Sequence, residues 1–436
     1  MQIDRLHFYL ENAIKWRDWF VAVMGFQAIA SYQRGETHTE VVASGSNEEI
    51  KFVLSSPLTR SSPVAKYLDK HPPGVADITF AVEELQTVMD KAIAAGATIL
   101  EPIKQKKYKD GYVRWSKISN NVSFCHTLVE RQGKTVGYSS EPKLQSASKL
   151  KNITQRQSPL RGSAKERKEK VFLRDIDHLV LNVPAGELEA TANWYEQAFG
   201  FIKKQTFTIN TQQSGLYSQV MVHPVSGIQL PINEPLSSNS QIQEFLDLNG
   251  GAGIQHIALK TNNITKVTQK LRQAGLSFLS VPSCYYEQIA FKGTKFNLSA
   301  QKWQEIVEQE VLVDFSSALP KGSASQSATA TTEGLAQRTR TKRANLSAKQ
   351  PAQRLGEAEI AFAEEDRDDS PIPFILQIFT EPIFAQPTFF FELIERRYQA
   401  QGFGEGNFRA LFKAIEQEQA KRGSLSKSKF KIEKYY

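Results

Sequence analysis

Residues 176–201 read IDHLVLNVPAGELEATANWYEQAFGF, and residues 3–26 read IDRLHFYLENAIKWRDWFVAVMGF. Each is a short strand pattern followed by an amphipathic helix that closes on Gly-Phe. Trp19 pairs with Trp194, Phe20 with Tyr195, Gly25 with Gly200 and Phe26 with Phe201. A second pair follows, VADITFAVEELQTVMDKAIAAGATI from Val75 and IQHIALKTNNITKVTQKLRQAGLSF from Ile254. Here Leu85, Val88, Ala92 and Gly96 match Ile264, Val267, Leu271 and Gly275 without a gap. The apolar members recur at helical spacing, and the glycines suit left-handed positions at helix C-termini. The repeat predicts an α+β chain of two tandem halves, each built from two strand–helix–strands modules.

Length and composition agree with this division. A chain of 436 residues is too long for one ordinary core. Hydrophobic residues at 40% and charged residues at 23% are those of a globular protein. The net charge of +8 would suit a nucleic-acid partner, but many basic residues lie in two stretches, 140–170 and 321–354, that carry no aromatic residue. A phosphate-binding surface mixes basic and aromatic side chains on a folded face, so these stretches read as solvated linkers and nucleic acid is excluded as a partner. Cys125 and Cys284 are far apart and imply neither a metal pair nor a disulfide framework, which fits a reducing compartment. The opening MQIDRLHFYLEN alternates like a strand and is no secretory signal. No stretch approaches the ~20 apolar residues that cross a bilayer. The expectation is a cytoplasmic protein with no membrane partner.

The two halves differ where chemistry could sit. Arg5 occupies the place of His178, and Asp77 that of His256. Aligning FCHTLVER with FFFELIERR puts Thr127 where Glu392 stands. His178 lies in the strand pattern DIDHLVLNV, His256 in GIQHIALKT, and Glu392 interrupts the apolar run PTFFFELI. A carboxylate in such a strand is costly to bury unless it is paired or bound to a cation. Two imidazoles and one carboxylate form the facial triad of non-haem iron(II) oxygenases, with open positions opposite for substrate and dioxygen.

Either histidine alone is more often a hydrogen-bonded core residue, and Glu392 alone could pair with Arg396. The set argues for a metal because all three fall at equivalent strand positions and vanish together in the first half. The other histidines carry less. His7, His38, His71 and His126 are in the first half, and His223 stands beside Pro224 in a turn pattern. Cys125 and His126 suggest a thiol nucleophile only weakly, since neighbours on a strand point to opposite faces.

The segments SQIQEFLDLNGGAGIQHIAL, LPINEP, FILQIFTEP and GFGEGNFRALFKAIEQEQ resemble, in order, motifs of the 4-hydroxyphenylpyruvate dioxygenases, which have the vicinal-oxygen-chelate fold. The resemblance is dense over residues 171–314 and 371–424 and thinner in the first half. It implies that each half is a pair of βαβββ modules forming an open barrel, with a C-terminal helix over the site. It implies one Fe(II) per chain, held by His178, His256 and Glu392. It places Ser218, Pro231, Asn233, Gln255 and Gln377 in the substrate pocket, Phe379 and Phe408 against the substrate ring, and Phe403 and Asn407 near the mouth. Gln255, Gln377 and Asn407 would be the catalytic polar groups. Phe408 also joins Leu411, Phe412 and Ile415 in a helical apolar stripe, a pattern that is usually core.

The implied reaction converts 4-hydroxyphenylpyruvate and O2 to homogentisate and CO2 by oxidative decarboxylation, ring hydroxylation and side-chain migration. Homogentisate would serve tyrosine breakdown or tocopherol and plastoquinone synthesis, and the resemblance implies a homo-oligomer. Three other functions compete. 4-Hydroxymandelate synthase resembles the same scaffold but tends to carry a smaller aliphatic residue at the place of Phe408. A non-catalytic binding module would show damaged ligands. A glyoxalase-type isomerase would draw more carboxylate or glutamine ligands from paired modules.

One departure from the family pattern stands out. The strand ending LVD at Asp314 is separated from LQIF at Leu376 by residues poor in large apolar groups. These cannot build a core, and the stretch reads as a disordered insertion at a hairpin tip, where added length costs little. The expected organisation is a structural half over 1–139, a basic linker over 140–170, and a catalytic half over 171–436 with an insertion at 315–370.

Overall fold

The computed structural model describes residues 1–44, 49–133, 173–211, 214–292, 298–315, 372–404, 406–407 and 415. The first half runs β1 (Gln2–Tyr9), α1 (Ala13–Ala22), β2 (Gln27–Arg34), β3 (Thr37–Ser44), β4 (Ile50–Pro57), α2 (Pro63–Leu68), β5 (Gly74–Ala81), α3 (Leu85–Ala94), β6 (Thr98–Tyr108), β7 (Gly111–Ser119) and β8 (Cys125–Gln132). The second half begins with β9 (Ile176–Asn182), α4 (Leu188–Phe199), β10 (Ile202–Asn210), β11 (Gly215–Val222), β12 (Gln229–Pro235) and α5 (Gln241–Asn249). It continues with β13 (Gly253–Lys260), α6 (Ile264–Gln273), α7 (Ser283–Lys292), α8 (Ala300–Glu308), β14 (Leu312–Asp314), β15 (Phe374–Phe379) and β16 (Phe390–Arg397).

Each half folds into one eight-stranded sheet, ordered β2-β3-β4-β1-β5-β8-β7-β6 and β10-β11-β12-β9-β13-β16-β15-β14. The orders are the same when β1 is matched to β9, so the βαβββ modules expected from the repeat are present in pairs. Local chemistry starts and stops the helices as the sequence suggests. Asn12 and Asn263 accept from the backbone N–H three residues on and cap α1 and α6. Gly200 ends α4 at a φ of +72°, which a side chain would resist.

The strand period of two explains where the site falls. Phe389, just before β16, and Phe391 and Leu393 on it enter the main core, while Glu392 between the latter two faces the barrel interior. On β9, Leu179 and Leu181 take the core side, which turns His178 and Val180 inward. On β13, Ile257 and Leu259 do the same for His256.

That core runs through both halves. Phe8 meets Phe389 at 5.5 Å, Trp16 meets Phe384 at 4.7 Å, and Phe52 stacks on Phe391 at 6.0 Å. The first half thus packs on the back of the strand that carries Glu392. A second contact joins β8 to α4: buried His126 stacks on Trp194 at 5.7 Å, and its Nε2 shares a 3.0 Å hydrogen bond with the Tyr195 hydroxyl. Cys125 is on the other face of β8, near Lys117 and Asp77, so the two residues do diverge as neighbours on a strand.

The halves part company after α6. In the first half the strand after α3 is continuous, whereas in the second it is broken. Phe278 bridges Thr380 and Leu279 N donates to Phe379 O, then α7 and α8 intervene before β14 resumes pairing with β15. β14 and β15 pair antiparallel, Leu312 opposite Gln377 and Asp314 opposite Ile375, so the expected insertion joins two hairpin strands. The insertion itself beyond Phe315 and the linker at 140–170 lie outside the described residues. Of the C-terminal helix, Gly406, Asn407 and Ile415 are described. Among the described residues, no helix is long and apolar enough to cross a membrane.

Candidate metal centre

The repeat alignment translates into three dimensions without slippage. His256 pairs with Val180 across β13 and β9, as Asp77 pairs with His7 across β5 and β1. Glu392 pairs with Ala258, as Thr127 pairs with Thr79. His178, His256 and Glu392 therefore converge inside the second barrel, each offering one ligand atom, and these atoms all lie within 4.8 Å of one another. His178 Nε2 is 3.2 Å from Glu392 Oε2, and His256 Nε2 is 3.6 Å from the same oxygen. Such separations are close to the ~3 Å between neighbouring donors around a cation bound at ~2.1 Å. In the first half, Thr127 Oγ1 donates to Asp77 Oδ2 at 2.9 Å and the Lys117 ammonium lies 3.5 Å from that oxygen. An internal cation there faces the position-equivalents of the second half's ligand set.

Electrostatics fit a metal-ligand set. All three groups are buried. Burial opposes charge on His178, but Glu392 and the hydrogen bonds to Asp177 and Glu392 outweigh it and push its pKa up to about 9. His256 goes the other way, since burial and then the charge on His178 hold it well below the ordinary imidazole range. Positive charge is thus wanted at this spot, and a divalent cation satisfies it while displacing the His178 proton. His178 Nδ1 donates to Asp177 Oδ1 at 3.0 Å, the kind of outer bond that fixes a ligating imidazole's orientation. Gln377 Nε2 donates to Glu392 Oε1 at 2.9 Å.

The candidate ligand atoms face a cavity with about 600 Å³ of empty space including its open mouth. Ser218, Pro231, Asn233, Gln255, Phe379 and Phe403 line it beside His178, His256 and Glu392. Asn233 Nδ2 donates to Asn182 Oδ1 at 3.2 Å, and Ser218 sits opposite Asn233 in the β11–β12 register. Gln377 and Asn407 stand one layer back: Asn407 Nδ2 donates to Gln377 Oε1 at 2.9 Å, and Asn407 Oδ1 accepts from the Tyr285 hydroxyl at 2.7 Å. Phe408 lies outside the described residues. Arg396 does not pair with Glu392; its guanidinium grips Asp177 through Nε and Nη2 at 2.8 and 2.7 Å.

Sequence reasoning missed two polar groups. Gln241, the first residue of α5, lines the cavity, and its buried Oε1 has no hydrogen-bond partner among the described residues. The sequence marks the helix start there through the N-cap Ser240 in SQIQEF, but not which way Gln241 faces. Tyr285 comes from the inserted helix α7, which has no counterpart in the first half and so gave the repeat nothing to compare.

The family model of the glyoxalase/bleomycin resistance protein/dioxygenase superfamily matches residues 2–119 and 175–291, one match in each half. A 4-hydroxyphenylpyruvate dioxygenase of Coccidioides posadasii is 31% identical, covering 97% of this chain and 94% of its own. Another from Sus scrofa is 32% identical, covering 96% of this chain and 91% of its own. A variant of 4-hydroxymandelate synthase from Streptomyces coelicolor shares the fold at a TM-score of 0.67 and 21% identity, covering 96% of this chain and 98% of its own. The doubled modules, the candidate ligand set on β9, β13 and β16, and these full-length likenesses agree, and the chain belongs to the 4-hydroxyphenylpyruvate dioxygenase family of that superfamily.

Proposed function

We propose that the protein is a 4-hydroxyphenylpyruvate dioxygenase that converts 4-hydroxyphenylpyruvate and O2 to homogentisate and CO2. The observation that carries this reading is the His178, His256 and Glu392 group facing a half-open cavity, in a chain 31% identical to a named dioxygenase over 97% of its length. One iron(II) per chain is held by these three residues. Bound iron supplies Lewis acidity toward the 2-oxo acid and electrons for the reduction of dioxygen.

The chain's own residues supply position and shelter. His256, kept neutral by burial, presents a lone pair, and Asp177 fixes the His178 ring. Phe379 and Phe403 give the substrate ring apolar walls, and the family resemblance assigns Phe408 the same role. Gln255, Ser218 and Asn233 offer amide and hydroxyl groups to orient the phenol and the carboxylate. Gln377 and Asn407 act through Glu392 and the Phe403 backbone. Ile209, Leu216 and Ile242 complete a lining that excludes water from the reacting atoms. The first half, without the ligand set, braces β16 from behind. The same reading makes the protein a homo-oligomer, as the family resemblance implies, and a cytoplasmic one, in keeping with its two far-apart cysteines.

The test is to load the protein with Fe(II) without oxygen, add 4-hydroxyphenylpyruvate and air, and identify the product. Homogentisate with CO2 release is expected. 4-Hydroxymandelate would keep the metal site and move the reaction to the benzylic carbon. Absence of oxygen uptake despite bound iron would overturn the reading.

A further inference from the structure

Arg396 lies four residues beyond Glu392 on β16, and its guanidinium is fully engaged. Nε and Nη2 hold Asp177 Oδ2 and Oδ1 at 2.8 and 2.7 Å. Nη1 donates to Gly402 O at 2.8 Å and to Ala400 O at 3.2 Å. Asp177 Oδ1 is also the acceptor for His178 Nδ1. One cation therefore joins the outer nitrogen of a proposed ligand to the backbone just before Phe403. Phe403 in turn packs edge-on against the His178 ring at 5.5 Å. The loop from Ala400 to Phe403 and the His178 ring are thus tied twice, once through Asp177 and Arg396 and once by direct contact.

The pair on its own is an inherited part of the module. In the first half, Asp4 and Arg131 occupy the same repeat positions as Asp177 and Arg396 and also form a forked bridge, here through Nη1 and Nη2 at 2.8 and 3.2 Å. There Arg5 stands in the place of His178. A carboxylate–guanidinium fork between the first and last strands of a half is a feature of both halves. Its engagement of a ligating imidazole belongs to the second half alone.

We propose that Arg396 is a positioning residue that sets the His178 ring through Asp177 and, with the same guanidinium, holds the Ala400–Phe403 backbone over the metal face. This rests on the reading of His178 as a ligand. Coupling of two sites through one group is reciprocal. Seating a metal should stiffen residues 400–403, and loosening those residues should weaken the metal. Lysine cannot replace the function, since an ammonium cannot span both carboxylate oxygens and both carbonyls.

The test uses the full-length protein and Co(II) alone, titrated without oxygen, with hydrogen exchange followed in peptides covering 398–404. In the wild type, metal should slow exchange there. In Arg396→Met the slowing should disappear, and metal affinity should fall roughly 10- to 100-fold, the usual effect of losing an outer partner of a ligand. Arg131→Met is the control: it breaks the matching bridge in the first half and should leave both readouts unchanged. Slowing that persists in Arg396→Met, or an equal loss in Arg131→Met, overturns the proposal. If Arg396→Met does not fold, Arg396→Lys carries the same expectation and the same refutation. Failure of the wild type to bind Co(II) at all would instead strike at the metal site itself.

Discussion

Gln377 Nε2 donates both to Glu392 Oε1, at 2.9 Å, and to the carbonyl oxygen of Phe403, at 2.8 Å. One fully buried amide thus serves the carboxylate of the ligand set and the residue that packs over it. Gln377→Met removes both bonds and costs Glu392 Oε1 and Asn407 Nδ2 a buried hydrogen-bond partner. Metal affinity should fall about 10- to 100-fold, with kcat dropping more than KM rises. Anaerobic metal titration and steady-state kinetics check this, and unchanged metal affinity contradicts it.

Gly404 has a φ of +76°, and a Cβ there would overlap the Gln377 amide. Gly404→Ala must therefore either strain its backbone or push Gln377 off Glu392. Activity should fall roughly tenfold or more, while the melting temperature falls by only a few degrees, because the site is small beside the core. A variant with wild-type kcat/KM would show that the Gln377 position does not matter.

Gln241 holds a buried oxygen at the cavity wall with no partner among the described residues, a cost that a substrate donor would remove. Gln241→Leu should raise KM for 4-hydroxyphenylpyruvate about tenfold, the worth of one good hydrogen bond. Its thermal stability should be equal to or above that of the wild type, since the unpaired oxygen is gone. A lowered melting temperature with unchanged KM would assign Gln241 to structure alone.

His126 sits unexposed between the halves, and burial pushes its pKa down to about 4 from 6.5. The unfolded chain therefore binds a proton that the folded chain refuses between these values. The stabilising contribution is fully present above pH ~6.5 and is lost as pH falls through ~4, at up to ~1.4 kcal/mol per pH unit. His126→Gln should unfold with a flatter pH dependence over that window. Denaturant titrations at neutral and mildly acidic pH measure it; equal slopes for variant and wild type contradict the assignment.

Much of this was legible in the sequence because the chain carries its own comparison. The gapless match of Val75 onward with Ile254 onward fixed the strand register, and register fixes which side chains enter a barrel. That is why Arg5, Asp77 and Thr127 fall where His178, His256 and Glu392 do. Contacts made across distant elements were not legible. Arg396 looked like a partner for Glu392 four residues away, but both strands and their twist bring it to Asp177, which is 219 positions away in sequence. Tyr285 entered through helices present in one half only. Gln241 is a polar residue at a helix start with no sequence cue to its direction, and the packing of α5 against the barrel turns it inward.

Metal should bind once per chain, in the second half, on His178, His256 and Glu392. Purified protein should be loaded with excess Fe(II) without oxygen, dialysed, and its iron counted per chain alongside Glu392→Ala. The account predicts one iron per wild-type chain and essentially none in the variant. Two irons per chain, or iron retained by Glu392→Ala, would place the metal elsewhere and contradict it.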